Sequence, residues 1–175
     1  MRVVVVGGSG MVGSRVVKEL ALRGHQVIAV ARNPEKIVAG AGVSAVKGDL
    51  NDAAGPENTL RGADAVVSAP KPPQGQEQEV IPASGALLDA ARKAGVKRVI
   101  VVGGAASLFV APGVTLLSSG HLPAEWHPIA KAHADLLDLL RTTDLGAGLD
   151  WTDFSPAGFI QPGERTGKFR VGKTS

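Results

Sequence analysis

The stretch Gly7-Gly8-Ser9-Gly10-Met11-Val12-Gly13 restricts what this chain can become more than any other part of it. Before it stands the apolar run of residues 2–6, carried by Val3, Val4, Val5 and Val6, as expected of a strand buried on both faces. After it, residues 11–23 place Val12, Val16, Val17 and Leu20 at helical spacing, with Gly24 as the cap. Gly7, Gly10 and Gly13 therefore fall at G-x-x-G-x-x-G between a strand and a helix. One glycine permits the tight turn, one lets backbone approach a pyrophosphate, and one lets the helix pack closely on the strand. The helix start then offers unpaired N–H groups and a positive dipole end to phosphates. In this setting the pattern is that of a dinucleotide site. The plainer alternative is a tight strand-to-helix turn with no ligand.

The rest of the chain repeats the alternation. Strands are expected at 26–31, 43–47, 63–69, 97–102 and 149–154. Helices are expected at 52–61 (disturbed by Gly55 and Pro56), at 79–94 and within 123–141. Such βαβα order implies an α/β fold, a doubly wound parallel sheet of Rossmann type in the order 3-2-1-4-5-6. Residues 71–76 read as a Pro/Gly/Gln loop. Residues 103–122 form an irregular stretch longer than loops usually are, of the kind that covers a ligand. At 175 residues a single domain, 1–175, is expected.

Composition removes several classes of chemistry. There is no Cys, hence no disulfide, thiolate nucleophile or cysteine metal site, and no metal is expected. There is no Tyr, which excludes any mechanism that needs a tyrosine acid. No apolar run approaches the roughly 20 residues of a membrane span, and the first residues lack a signal-peptide layout. A cytoplasmic protein is expected. The net charge of +3 is scattered, apart from a basic tail at Arg165, Lys168, Arg170 and Lys173, and leaves no nucleic-acid footprint beyond that tail. Within the tail, residues 167–174 spell G-x-x-x-x-G-K-T. A P-loop needs a helix directly after it, and only Ser175 follows.

The nucleotide preference is read at the end of the second strand. An NAD site there usually holds the ribose 2′-OH with a carboxylate. This chain has Val30-Ala31-Arg32-Asn33 instead. Arg32 suits a 2′-phosphate, which favours NADP(H) over NAD(H), unless it is an ordinary surface arginine. Arg15 in the first helical turn is a weaker candidate to assist.

The chain resembles the short-chain dehydrogenase/reductase superfamily in its atypical NAD(P)H-binding branch. That branch holds the NmrA-like regulators and the NADH-flavin reductase-like proteins. The resemblance rests on residues 4–13, on Gly48-Asp49-Leu50, on Ala63-Asp64-Ala65-Val66-Val67-Ser68 and on Gly95-Val96-Lys97-Arg98-Val99. Its most specific parts are Val102-Gly103-Gly104-Ala105-Ala106-Ser107-Leu108, Ser155-Pro156-Ala157 and Pro162-Gly163-Glu164-Arg165-Thr166-Gly167, which look like the flavin-reductase subgroup. The resemblance implies that Asp49 and Leu50 line the adenine; the alternative for Asp49 is a helix cap. Ser68, Ala69 and Pro70, with Gly103 and Gly104 one strand further, are small residues where the nicotinamide ribose would pass. The superfamily continues beyond this length with a further strand and helix, so a shortened C-terminal part is expected.

The superfamily's acid is the Tyr of Tyr-x-x-x-Lys, aided by a Ser. Here His127-Pro128-Ile129-Ala130-Lys131 keeps the spacing with His in place of Tyr, and Ser107 matches the region of the Ser. His127 would donate a proton and Lys131 would hold the ribose hydroxyls. The alternatives are a solvent-facing His at a helix start and a Lys on the polar face. His121, Trp126 and Phe109 would form a planar wall. His25 and His133 read as structural. Together these features point to an NADP(H)-dependent reductase of a flat, electron-poor acceptor, a flavin or quinone, which takes hydride without a strong protein acid. The rival is a non-catalytic NADP(H) sensor of NmrA-like kind. A sugar epimerase or dehydratase is a third reading, disfavoured by the missing Tyr.

Overall fold

The computed structural model describes residues 1–49, 56–69 and 71–172. Six strands form one parallel sheet: β1 (Arg2–Val6), β2 (Gln26–Ala31), β3 (Val43–Lys47), β4 (Ala65–Ser68), β5 (Arg98–Val102) and, last in the chain, β8 (Asp150–Phe154). Their order is β3-β2-β1-β4-β5-β8, the expected 3-2-1-4-5-6 once the sheet strands alone are numbered. Helices α1 (Met11–Leu22), α2 (Pro56–Leu60), α3 (Val80–Ala94) and α4 (His127–Thr142) make the crossovers, with a short turn at Pro34–Lys36 between β2 and β3.

The valine run of β1 is explained by its central place. Val4 and Val6 face one layer, with Val66, Val99 and Val101 beside them and Leu87, Leu88 and Leu136 of α3 and α4 above. Val3 and Val5 face the other layer, where Val17 of α1 and Ile37 pack. Val4, Val5, Leu88 and Leu136 are wholly buried. Each such side chain contributes about 1.5–3 kcal/mol of hydrophobic stabilisation. Both faces of β1 are thus paid in apolar area, and its C-terminal end is held firmly between β2 and β4. There the chain turns toward β2 on one side and toward β4 on the other. This switch point is where an open α/β sheet opens a crevice.

One expectation needed correction, and another is borne out only in part. Residues 103–122 are not irregular throughout: a 3-10 turn at Ala105–Ser107 is followed by an antiparallel hairpin of β6 (Phe109–Ala111) and β7 (Val114–Thr115). The cause is the Pro112-Gly113 turn, with Gly113 at φ 73. The helix expected at 52–61 covers Pro56–Leu60 among the described residues, and residues 52–55 lie outside them.

Candidate functional site

The glycine loop is built by close approach. Gly7 turns the chain at φ 79, and the amides of Gly7 and Gly8 both donate to the Val30 carbonyl at 3.0 Å, tying the loop to β2. The Gly10 amide donates to the Gly7 carbonyl at 2.9 Å. A side chain at Gly8 would put its Cβ 2.9 Å from that of Ala29, and one at Gly13 would overlap the Gly7 carbonyl oxygen. These two glycines serve the packing of helix on strand. Gly10 differs. A Cβ there would meet the Gly7 carbonyl oxygen at 3.2 Å and the Ala69 carbonyl oxygen at 4.0 Å, so its missing side chain leaves room in the crevice instead.

Gly10 is also the N-cap of α1. No side chain caps this end and no acidic residue stands in the first turn. The first amides of a helix lack internal acceptors, so those of Met11, Val12 and Gly13 are presented to an anion with the positive end of the dipole behind them. The crevice holds about 330 Å³. Gly7, Ser9, Gly10, Arg32, Asp49, Lys71, Gln76 and Glu79 are among the residues that line it. A phosphate-bearing dinucleotide fits these residues: an uncapped helix start, a glycine that leaves space, and two cations, Arg32 and Lys71, in the lining.

Not every candidate from the sequence lines this crevice. Ala69 does, whereas the Ser68 side chain is wholly buried in the sheet, its hydroxyl without a partner among the described residues. Leu50 and Pro70 lie outside the described residues. Arg15 folds back on its own helix, donating from Nη1 to the Met11 carbonyl at 2.6 Å. His127 is exposed, with Nε2 3.1 Å from the Leu122 carbonyl oxygen. Lys131 is exposed and paired with Asp135 at 2.6 Å. Both stand apart from the buried stripe of Ala132, Leu136 and Leu140. Ser107 is half-buried in the turn after β5.

Gly103 and Gly104 meet residues to which sequence reasoning gave no function. A Cβ at Gly103 would overlap the Asp153 carboxylate, and one at Gly104 would lie 3.2 Å from the His133 Cβ. Burial pushes the Asp153 carboxyl above the ordinary carboxylate range, opposed by a hydrogen bond from Ser155 and the Arg141 charge. Burial holds His133 below the usual histidine range. The signal for Asp153 was present: an acidic residue at the C-terminal end of a strand is out of place by β-propensity and stands where α/β sheets bind ligands. For Lys71 the only sign was its place in a Pro-rich loop after β4.

Comparison with known proteins gives the same picture. The NAD(P)H-binding family model matches residues 7–175. A solved structure from Burkholderia pseudomallei, described as a candidate exported protein, is 47% identical, with TM-score 0.83 over 97% of this chain and 78% of its own. A candidate epimerase from Bacteroides thetaiotaomicron is 39% identical, with TM-score 0.87 over 97% of this chain and 76% of its own. A candidate NADH-flavin reductase from Streptococcus pneumoniae is 35% identical, with TM-score 0.75 over 95% of this chain and 77% of its own.

Proposed function

We propose that this chain, which belongs to the NAD(P)H-binding family, is an NADPH-dependent reductase of flat, electron-poor acceptors such as flavins or quinones. One observation carries the reading: Gly10, the uncapped start of α1 and Arg32 share a single crevice at the switch point of the sheet. The helix start and Gly10 hold the pyrophosphate, and Arg32 pairs with the 2′-phosphate. When bound, the dinucleotide supplies hydride. The chain's contribution is to hold two rings in contact and orientation, which by itself removes much of a barrier.

The acceptor class follows from what the chain lacks. With no Tyr to deliver a proton, simple ketones are poor substrates, whereas flavins and quinones are protonated by solvent once reduced. The Streptococcus relative's name favours the same chemistry. The reading involves a small planar partner, neither nucleic acid nor membrane, and the cytoplasm, where NADPH is made. Among the described residues no helix is long and apolar enough to cross a membrane. A non-catalytic NADP(H) sensor is the second reading, favoured by the solvent-side placement of His127 and Lys131. Mixing protein, NADPH and riboflavin or a quinone while following nicotinamide absorbance separates the two: turnover supports the reductase, and tight NADPH binding without turnover supports the sensor.

A further inference from the structure

We propose that Lys71 is a specificity-determining residue, a second cation that acts with Arg32 to select a 2′-phosphorylated dinucleotide. The inference deepens the reading of the crevice as an NADP(H) site and rests on it. Lys71 and Arg32 follow different strands, β4 and β2, yet line the same crevice. Both are exposed, and neither has an ion-pair partner among the described residues. Glu77, an acid of the same loop, is engaged elsewhere: its Oε1 accepts from the Gly75 amide at 2.9 Å. The loop also holds Lys71 in place. The Ala69 amide donates to the Val6 carbonyl at 2.9 Å, which fixes the chain at the end of β4. Pro72 restricts Lys71 to extended backbone, and the rings of Pro72 and Pro73 lock their own φ. The Gln76 amide then donates to the Pro73 carbonyl at 3.1 Å and the Glu79 amide to the Gln76 carbonyl at 3.0 Å. From there the chain enters α3, whose Val80 and Ala83 are buried. The Lys71 backbone is thus anchored on both sides and stiff, so little order is left to impose when a ligand arrives.

Charge decides which phosphate Lys71 serves. The pyrophosphate has donors of its own in the free amides at the start of α1. A 2′-phosphate carries close to two negative charges, and Arg32 offers one positive charge against them. The crevice is also lined by two carboxylates, Asp49 and Glu79. With Arg32 as the sole cation, the lining side chains would be net negative and would repel the added phosphate. Lys71 brings cations and carboxylates level, and the positive end of the α1 dipole then tips the balance toward an anion. The two side chains are complementary in kind. A guanidinium grips a phosphate through a planar fork, whereas an ammonium attracts it as a point charge that needs no fixed approach. Loss of Lys71 should therefore penalise the more highly charged dinucleotide selectively.

The test is a comparison of ligands with and without the 2′-phosphate. Wild type, Lys71→Ala, Lys71→Arg and the double variant Arg32→Ala/Lys71→Ala are titrated with NADPH, NADH, adenosine 2′,5′-bisphosphate and ADP at one ionic strength. Lys71→Ala should weaken NADPH and the 2′,5′-bisphosphate about tenfold, the size of one hydrogen bond to a charged group. NADH and ADP should stay within about threefold of wild type, because only a screened charge acts on them. Lys71→Arg should restore most of the loss, and the double variant should bind NADPH no better than NADH. A Lys71→Ala protein that keeps the wild-type preference for NADPH over NADH overturns the proposal. An equal loss for all four ligands also overturns it, by placing Lys71 on the pyrophosphate. If Lys71→Ala fails to fold, Lys71→Gln, which keeps the stem and removes the charge, decides in its place. Failure of the reductase reading shows separately: selective loss in Lys71→Ala without NADPH oxidation by any acceptor leaves the role of Lys71 standing and makes the protein a sensor. A wild type that binds NADPH no tighter than NADH overturns both this proposal and the assignment of the crevice to NADP(H).

Discussion

Gly10 and Gly13 belong to one motif yet do different work. A methyl group at Gly13 has nowhere to go against the Gly7 carbonyl, so Gly13→Ala should destabilise the fold by about 1–3 kcal/mol, as overpacking does. Gly10 has an extended backbone that any residue adopts, and only the Gly7 oxygen is close. Gly10→Val should therefore leave the melting temperature nearly unchanged and abolish NADPH binding; calorimetry and titration on the same samples check both. At Arg32, the change to Asp should cost NADPH roughly 1.5–3 kcal/mol, the size of a hydrogen bond to a charged group, and leave NADH binding unchanged or improved. Equal loss of both would make Arg32 structural. The glycine spacing and Arg32 were legible because both are local patterns. The place of Asp153 at a strand end was legible too, but its burial was not, because its environment is made by Gly103 and α4, which lie far from it in sequence. Its consequence for stability has a definite sign. A carboxyl whose pKa rises on folding stabilises below its unfolded value, near 3.9, and that stabilisation is lost as pH climbs through the raised value. At neutral pH Asp153 is thus a burden, and Asp153→Asn should raise the melting temperature, with the gap closing as pH falls. His133 acts oppositely. Its contribution is present above about pH 6.5 and is lost as pH falls through its depressed value.

Among the elements, α4 shows how spacing and placement part company. His127 and Lys131 are four residues apart, hence on one side of the helix, and the sequence shows that much. Which side it is depends on the apolar stripe of Ala132, Leu136 and Leu140, and that stripe turns them to solvent. His127→Ala should lower turnover with a quinone by less than about tenfold, well short of the 10²–10⁴ of a positioned general acid. Lys131→Ala should cost about 0.3–0.5 kcal/mol of stability through its lost pair with Asp135. A hundredfold fall in turnover for His127→Ala, with NADPH affinity intact, would make this histidine the substitute for the missing tyrosine. The strands were the most legible elements, because an apolar β-branched run buried on two faces has few other readings. The hairpin of β6 and β7 was hidden by its brevity: three residues and two carry too little periodicity, and only the Pro112-Gly113 turn marked it.

For the molecule as a whole, function follows from where the sheet changes direction. The parallel strands bring the glycine loop, Arg32 and Ala69 to one crevice, and bring Asp153, Ser155 and the Gly103-Gly104 pair to the same end of the sheet. Along that one end, the β1–β2 side would bind the dinucleotide's phosphates and the β5–β8 side would receive a ring, an arrangement that makes chemistry by proximity rather than by a strong acid. The most direct test is acceptor-dependent oxidation of NADPH. Purified protein, saturating NADPH and riboflavin or a quinone are combined, and nicotinamide absorbance is followed beside Gly10→Val as the control. The account predicts steady loss of absorbance that requires both acceptor and wild-type protein and vanishes in Gly10→Val. Wild-type protein that binds NADPH tightly yet oxidises none of it with any flavin or quinone would contradict it.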